Sequence, residues 1–249
     1  MRPMNARTAR GTASLLLALL LAGCATTGER NRSDPIEPFN RGVYRFNDAV
    51  DRAALKPVAR AYRDHTPGWF QTGVGHFFTN LSYPWTIVNQ LLQGKVVAAG
   101  QDTLRFTINT TLGWAGIFDV ASGAGLPHHD EDLGQTLGRW GMPPGPYPML
   151  PLLGPSTVRD APSRYASRYA EPYYWYDYGD ERWYALAIDT VDKRAGLLAL
   201  EPAMERVFDK YAFLRDAYLQ RRRFLVYDGD PPEEAWEEET FEEETLEGE

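Results

Sequence analysis

The sequence predicts an all-α protein. Apolar residues recur every three or four positions between successive proline and glycine breaks, as they do on one face of a helix. No run between Asp34 and Asp228 alternates apolar and polar residues for long enough to make a convincing strand. Hydrophobic residues make up 43% of the 249 residues and the mean hydropathy is -0.44, which allows a sizeable core and excludes a polytopic membrane protein.

Residues 1–23 have the pattern of a secretory signal peptide. Met1 to Arg10 is basic, and Ala13 to Leu21 is apolar but too short to span a bilayer. Cys24, the only cysteine, follows directly after small residues. A lone cysteine in an exported protein is either an unpaired thiol or a modified residue.

The position of Cys24 resembles the bacterial lipoprotein signal, in which this cysteine is lipidated and becomes the first mature residue. The alternative is an ordinary cleavage site with a coincidental cysteine. Ala25, rather than an aspartate, follows it, and by resemblance to other lipoproteins this implies sorting to the outer membrane. Residues 24–33 would be a short tether that keeps the folded body, residues 34–227, close to the lipid surface.

The charge of −8 is concentrated at the end of the chain. Residues 228–249 contain twelve acidic residues and no basic one, so we expect this tail to be disordered. The body is nearly neutral and has no basic stripe. The sequence therefore argues against a nucleic-acid partner.

The body begins with a series of short helices. Asp34 with Pro35 indicates the first helix start, and Pro57 ends or interrupts that helix. Thr66-Pro67 starts the next helix. We expect a separate apolar helix at Leu81 to Leu92, with Gly94 as its C-cap, and another at Lys95 to Leu112. The residues of the first helix at helical spacing are Phe39, Val43, Phe46 and Val50.

The apolar helix at Leu81 to Leu92 has two interpretations. It can belong to the core, or it can lie in one leaflet with its apolar face in lipid. In the second case the membrane-facing residues are Trp85, Ile87, Val88 and Leu91.

Residues 140–158, which we name the ribbon, contain no charged residue and cannot form an ordinary helix or central strand, because their six prolines lack a backbone N–H. Apolar irregular backbone must be buried in protein or must border a cavity at membrane depth. A rigid loop packed on the core and a lipid-facing segment therefore remain equal alternatives here.

Further helices are predicted on both sides of the ribbon. We expect one or two helical turns at Leu133 to Trp140. Ser156 is the expected N-cap of a helix that continues through Tyr169. Residues 172–178 form an aromatic cluster that suits a membrane interface or a partner contact. Asp180 to Leu198 is the next helix, and Pro202 opens the last long one.

Motifs for catalysis are missing from the sequence. There is no Gly-x-Ser-x-Gly elbow and no phosphate-binding glycine loop. His128 and His129 stand beside three carboxylates, but contiguous loop residues rarely point at one centre, so we expect no metal site. Two aspartate pairs could act as acid and base, but such spacing is common on surfaces: Asp48 with Asp51, and Asp130 with Asp132.

Several stretches together resemble the MlaA (VacJ) family of outer-membrane lipoproteins, in the expected order from about Asp34 to Pro232. Leu133 stands where an aromatic residue is usual, and Lys210 replaces an expected proline. The matching stretches are Asp34-Pro35-x-Glu37-x-Phe39-Asn40-Arg41, Tyr44-x-Phe46-Asn47, Asn80-Leu81, Leu92-Gln93-Gly94, Arg105-Phe106, Asn109-Thr110, Gly113, Phe118-Asp119-Val120-Ala121, Gly134-Gln135-Thr136-Leu137-Gly138, Trp140-Gly141, Gly145-Pro146-Tyr147, Leu150-Pro151, Gly154-Pro155-Ser156, Arg159-Asp160, Tyr211 with Arg215, and Tyr218-Leu219-Gln220-Arg221-Arg222.

The resemblance implies a ring-like arrangement of short and amphipathic helices around a central passage, lying in the inner leaflet of the outer membrane. It implies a non-enzymatic function without cofactors: phospholipid passes from the outer leaflet to a soluble periplasmic lipid carrier, in association with a trimeric porin, and lipid asymmetry is maintained. A lipid-anchored scaffold and a lipid hydrolase are the alternatives. The resemblance does not explain the acidic tail.

Two groups of residues acquire expected roles from this resemblance. The ribbon would line the passage, through Trp140, Met142, Tyr147, Met149, Leu150 and Leu153. A hinge or gate would lie at Phe39, Asn40, Phe46 and Asn47, or alternatively at the glycines between Gly68 and Gly75.

Overall fold

The computed structural model describes residues 34–170 and 181–232, and helices dominate it, which confirms the all-α prediction. The signal peptide, Cys24, the tether, the aromatic cluster at 172–178 and the tail beyond Pro232 lie outside the described residues. The longer α-helices are α1 (Glu37–Val50), α2 (Lys56–His65), α3 (Gly68–Leu92), α4 (Val96–Thr111), α7 (Asp160–Ala170), α8 (Glu181–Leu197) and α10 (Lys210–Val226). The shorter ones are α5 (Val120–Gly123), α6 (Leu133–Arg139) and α9 (Glu201–Glu205), with a 3-10 turn at Leu198–Leu200.

A π-helical turn joins α1 to α2. It covers Asp51–Leu55, and the N–H of Lys56 donates to the carbonyl of Asp51, five residues back. Pro57, which cannot donate, occupies the first turn of α2, where its missing N–H costs little. Pro57 thus interrupts the helix without ending the helical course of the chain.

Helix α3 corrects the prediction of two separate helices. It continues from Gly68 to Leu92 with Pro84 inside it, and α4 packs along it in the strongest helix pair of the described residues. An interior proline costs a helix about 3 kcal/mol, and packing of this extent offsets that cost. The predicted boundary before Leu81 is wrong because local propensity does not include this packing.

The end of α3 was predicted correctly. Gly94 adopts a left-handed conformation with φ of 76°, which glycine allows at no steric cost. Its N–H donates to the carbonyl of Leu91, and the N–H of Lys95 donates to Gln90 at 2.8 Å. These two bonds are the Schellman arrangement, and they turn the chain sharply into α4.

Two helix starts differ from the prediction. For α7, the Oγ1 of Thr157, not Ser156, accepts from the N–H of Asp160 at 3.1 Å. Pro202 opens only the short α9. The long final helix α10 starts after Asp209, whose carboxylate accepts from the N–H of Ala212 at 3.1 Å. A side-chain acceptor that pairs with free N–H groups decides where a helix begins.

The ribbon contains the described strands. Met149–Leu150 (β1) pairs antiparallel with Gly154–Pro155 (β2), and β1 packs on α1. Elsewhere α2 packs on α8, and α6 packs on both α7 and α10. Within residues 34–170 and 181–232 we find no helix whose length and apolar character would let it traverse a bilayer.

Candidate lipid-binding site and membrane-facing surface

The middle of the ribbon is part of a buried core. Tyr147 is 0% exposed and Met149 is 2% exposed, and both pack with Tyr211 of α10. Burial raises the pKa of the Tyr147 hydroxyl above its usual value. These two residues, expected to line a passage, are enclosed by protein here. Their burial fits the alternative in which the ribbon packs on the core.

The other expected lining residues are less enclosed. Leu150 and Leu153 are half-buried, while Trp140 and Met142 are 60% and 48% exposed. The indole N–H of Trp140 donates to the carbonyl of Leu92 at the end of α3, at 3.1 Å. The exposed start of the ribbon therefore adjoins the α3–α4 turn, and lining of a passage by these four residues stays a prediction.

Asn40 holds the ribbon to α1. It is fully buried, and its amide group donates to the carbonyl of Tyr147 at 2.6 Å and accepts from the N–H of Met149 at 2.9 Å. The amide also donates to the carboxylate of Asp34 at 2.7 Å. Tyr211 donates its hydroxyl to the same carboxylate. One side chain thus satisfies two backbone groups of the ribbon.

Asn47 repeats this arrangement one step along the ribbon. Its amide donates to the carbonyl of Leu150 at 3.0 Å and accepts from the N–H of Leu152 at 2.8 Å. The neighbouring Phe39 and Phe46 are 57% and 52% exposed. The asparagines of the expected hinge therefore anchor the ribbon, while the phenylalanines lie at the surface. A hinge motion stays a prediction.

The hairpin of α3 and α4 has inverted polarity: most of its buried side chains are polar, and many of its exposed side chains are apolar. Val88 and Leu91, expected to face the membrane, are 43% and 54% exposed, whereas Trp85 and Ile87 are half-buried. Apart from Gly73 and Ala99, the buried residues of the two helices carry polar groups: Asn80, Tyr83, Thr86, Asn89, Gln90, Asp102, Arg105 and Asn109. The exposed large hydrophobic residues between positions 88 and 118, which we name the apolar surface, are Val88, Leu91, Leu92, Val96, Val97, Leu104, Leu112, Trp114, Ile117 and Phe118.

Hydrogen bonds between the buried polar residues hold the hairpin together. The Nε2 of Gln90 donates to Asp102 at 2.6 Å, and the Nε of Arg105 donates to the Tyr83 hydroxyl at 2.7 Å. Arg105 is 2% exposed and also pairs with both oxygens of Asp119 at 2.9 Å. Polar contacts inside and apolar side chains outside are what helix pairs use in lipid.

Asp119 stays ionised well below neutral pH. Burial opposes its ionisation, but hydrogen bonds from Ser122 and Asn109 and the charge of Arg105 outweigh that effect and lower its pKa to about 2. Its carboxylate also caps the short helix α5 by accepting from the N–H of Ser122. The base of the hairpin therefore depends on a charged aspartate.

A second buried ionic cluster ties the C-terminal helix to the start of α6 and α7. Arg222 of α10 pairs with Asp132 at 2.7 Å and with Asp160 at 2.9 Å, and Arg159 also pairs with Asp160 at 2.9 Å. Asp160 is 2% exposed. Burial opposes its ionisation, but Arg222 and Arg159 outweigh that effect and lower the pKa of Asp160. A Cβ at Gly134 would lie 2.4 Å from Asp160, so only glycine permits this approach.

Asp132 also belongs to the wall of a cavity of about 390 Å³. Side chains from α3, α7, α8 and the loop before α6 meet there. The lining residues are Gly75, Phe78, Thr79, Ser82, Trp85, Thr86, His128, Asp130, Glu131, Asp132, Ser167, Asp189, Asp192 and Lys193. Phe78 and Trp85 of α3 contribute aromatic surface, and the carboxylates come from the loop before α6 and from α8, so the cavity has both apolar and charged surfaces.

The histidines of the loop have separate partners. His128 shares a hydrogen bond with the Tyr83 hydroxyl at 2.9 Å, and His129 shares one with Asp102 at 3.0 Å. In the part of the chain that the structure describes, no group of three or more His, Cys, Asp or Glu residues is arranged to hold a metal ion.

The first aspartate pair considered as acid and base is divided. Asp48 pairs with Arg52 at 2.6 Å, and Asp51 pairs with Arg194 at 2.7 Å. Ion pairing with separate arginines accounts for Asp48 and Asp51 without a shared reaction centre. The second pair, Asp130 and Asp132, lies together in the wall of the cavity, where Asp132 pairs with Arg222.

Comparison with known proteins identifies the family. The MlaA lipoprotein family matches residues 32–225. The "Intermembrane phospholipid transport system lipoprotein MlaA" of Escherichia coli (strain K12) is 35% identical over 232 residues, which cover 89% of this chain and 90% of that protein. The protein of the same name from Haemophilus influenzae is 31% identical over 224 residues, covering 87% and 90%.

A solved structure shares the fold. It is described as "Structural basis for maintenance of bacterial outer membrane lipid asymmetry", and the alignment covers 78% of this chain and 100% of that chain with 35% identity and a TM-score of 0.70. The length of the matches, the sequence identity and the shared fold all indicate the same family. This chain belongs to the MlaA lipoprotein family.

Proposed function

We propose that this protein moves phospholipids between membranes and thereby maintains the lipid asymmetry of the outer membrane. Its named relatives are intermembrane phospholipid transport lipoproteins, and the similar solved structure concerns outer-membrane lipid asymmetry. We further propose that lipidated Cys24 anchors it to the periplasmic face of the outer membrane. The body, residues 34–227, is its transport domain, and the leader, tether and acidic tail flank that domain.

The inverted polarity of the α3–α4 hairpin carries this proposal. In water, exposed Leu91, Val97 and Trp114 each lose the benefit of burial, about 25 cal/mol for every Å² of apolar surface. In a lipid leaflet the same surface is favourable, and the hydrogen-bonded polar interior is kept from water. The hairpin is thus suited to lie with its apolar surface in the acyl chains.

The lipid would pass between the ribbon and the cavity. We propose that four residues of the ribbon line this passage: Trp140 and Met142 at its exposed start, and Leu150 and Leu153. Tyr147 and Met149 would act indirectly, because their packing on Tyr211 holds the ribbon against α10. We propose a ring-like arrangement of the helices around this passage.

The partners in this proposal are a trimeric porin and a soluble periplasmic lipid carrier. Both follow from the family resemblance. The proposed transport function needs no cofactor. It is consistent with Asp48 and Asp51, which each pair with a different arginine instead of forming a shared site. The alternatives are a passive scaffold and a lipid hydrolase.

Phospholipid in the outer leaflet of intact cells tests the proposal. Cells without the protein should accumulate it, and the wild-type chain should restore the low level. Met142→Asp should restore it less well although the protein folds normally, because a carboxylate would face the acyl chains. Leu200→Asp, at a position 57% exposed outside the ribbon and the apolar surface, is the control.

Three outcomes would contradict the proposal. Normal outer-leaflet composition in cells without the protein would favour a scaffold. Release of fatty acid or headgroup by the purified protein would favour a hydrolase. Full activity of Met142→Asp and of charged variants at Trp140 and Leu153 would exclude the ribbon as lining.

A further inference from the structure

The cavity between α3 and α8 has a chemical character that the transport function does not specify. Its wall includes five carboxylates and one lysine. Two of these carboxylates are buried, since Glu131 and Asp189 are each only 7% exposed, whereas Asp192 is half-buried and Asp130 is exposed to solvent. Burying charge is costly unless a partner compensates it.

Protein cations compensate part of this charge. Lys95 pairs with Glu131 at 2.7 Å, and Lys193 pairs with Asp189 at 2.7 Å. Arg222 pairs with Asp132, as described above. Three cations thus face five carboxylates.

The two remaining carboxylates are Asp130 and Asp192. Asp192 accepts a hydrogen bond from the Tyr62 hydroxyl at 2.9 Å but has no cationic partner among the described residues. Burial and the charge of Asp189 raise its pKa, despite the Tyr62 hydrogen bond and Lys193. The environment of Asp192 therefore favours arrival of a cation.

Space for such a cation exists beside Asp192. Gly75 of α3 presents no side chain there, and a Cβ at that position would lie 3.4 Å from the free oxygen of Asp192. Phe78 and Trp85 contribute aromatic surface to the same cavity. Carboxylates and aromatic surface together are a suitable environment for an ammonium group.

Lys193 supplies the complementary charge. It follows Asp192 in sequence, lines the same cavity, and its side chain is 69% exposed. An ammonium group has three donors, so Lys193 can donate to a phosphate oxygen while it keeps its bond to Asp189. The cavity wall thus includes an ammonium donor and the carboxylate of Asp192, which has no cationic partner in the described part of the chain.

We infer that this cavity binds the zwitterionic headgroup of an amine-bearing phospholipid, with its ammonium at Asp192 and its phosphate at Lys193, in preference to an anionic headgroup. This inference rests on the proposed transport function and adds a substrate preference to it. An anionic headgroup satisfies Lys193 but leaves the half-buried carboxylate of Asp192 uncompensated and adds further negative charge to the cavity.

Lipid competition tests the inference. The full-length lipoprotein is equilibrated in detergent micelles that contain equal amounts of phosphatidylethanolamine and phosphatidylglycerol, and the bound lipids are quantified after repurification. The wild-type protein should enrich the ethanolamine lipid about three- to fivefold, the range of a partly exposed ion pair. Asp192→Asn keeps an acceptor for Tyr62 but removes the charge, so its ratio should fall to about one.

Matched variants separate the headgroup effect from general effects. Asp64→Asn, which removes an exposed carboxylate of α2 paired with Arg63, should keep the wild-type ratio. Lys193→Gln should weaken binding of both lipids, because both carry a phosphate. Water-soluble glycerophosphoethanolamine should displace little of the bound lipid; full displacement would assign the cavity to a soluble amine and overturn the lipid assignment.

The remaining outcomes are distinguishable. A wild-type ratio of one, enrichment of phosphatidylglycerol, or an unchanged ratio in a folded Asp192→Asn variant would overturn the headgroup preference while leaving transport intact. Failure to bind either lipid would overturn the proposed function itself, and the preference with it.

Discussion

Asn40 and Asn47 lie seven residues apart on α1, and their side chains bind backbone groups of the ribbon in the same way, three residues apart. Seven residues of helix rise about 10.5 Å. Three residues of extended chain span about 10 Å. The two spacings match, so one helix face can hold successive segments of a ribbon that lacks a full strand partner.

Loss of the Asn40 side chain should destabilise the protein. Asn40→Ala leaves the buried carbonyl of Tyr147 and N–H of Met149 unpaired, and each such group costs about 1–3 kcal/mol. We expect the free energy of unfolding, measured by urea denaturation, to fall by about 3 kcal/mol. Asn47→Ala, at the more exposed end, should cost about 1 kcal/mol. Equal losses in the two variants would contradict this assignment.

Arg222 should contribute much more to the stability of the fold than the adjacent Arg221 does. Arg222→Met leaves Asp132 without its arginine and Asp160 with Arg159 alone, and loss of one partner from a buried ionic cluster typically costs about 3–5 kcal/mol. Arg221→Met changes an exposed arginine of the same helix and should alter stability by less than about 0.5 kcal/mol. Thermal unfolding of both variants gives the comparison; similar midpoints would show that the ionic cluster contributes little.

Stability should fall in acid because of Asp119. Its pKa is about 2 in the folded protein and about 3.9 in an unfolded chain, so the unfolded state binds the proton more readily. The contribution of about 2 kcal/mol is therefore present above pH 4 and is lost as the pH falls towards 2. Unfolding midpoints of wild type and Asp119→Asn should converge over that range. A constant difference between them from pH 5 to pH 2 would exclude this role.

The apolar surface should contact acyl chains. In vesicles containing phospholipid with brominated chains, bromine quenches tryptophan fluorescence on contact. Trp114 is 74% exposed on the apolar surface and Trp183 is 56% exposed on α8. We expect Trp114→Phe to remove more of the quenching than Trp183→Phe does. The opposite order, or no quenching of the wild-type protein, would place the hairpin outside the lipid.

Sequence reasoning reached the helices and the family but misplaced several boundaries. The sequence predicts a separate short helix at Leu81 to Leu92, whereas packing on α4 keeps α3 continuous through Pro84. The sequence predicts Ser156 as a cap, but the hydroxyl of the adjacent Thr157 takes that position because the course of the backbone directs it at the N–H of Asp160. The sequence shows that Asn40 and Asn47 lie seven residues apart, but it does not show that both bind the ribbon, which lies more than one hundred residues away.

The cavity had no signal in the sequence. Gly75, Asp130 and Asp192 come from distant segments, and neither composition nor periodicity indicates that they converge. Likewise, the sequence left open whether Leu91 belonged to a core or to a lipid-facing surface, because apolar spacing is the same in both cases.

By itself the sequence determined the helical class and membership of the family, because local spacing and ordered motifs specify these, and it predicts the export signal with Cys24. Only the tertiary structure decided that polar residues fill the α3–α4 hairpin and that Tyr147 lies beneath the ribbon rather than at its surface. The physical reason is that burial and compensation of charge depend on which distant groups meet, and those meetings are set by packing of the whole chain.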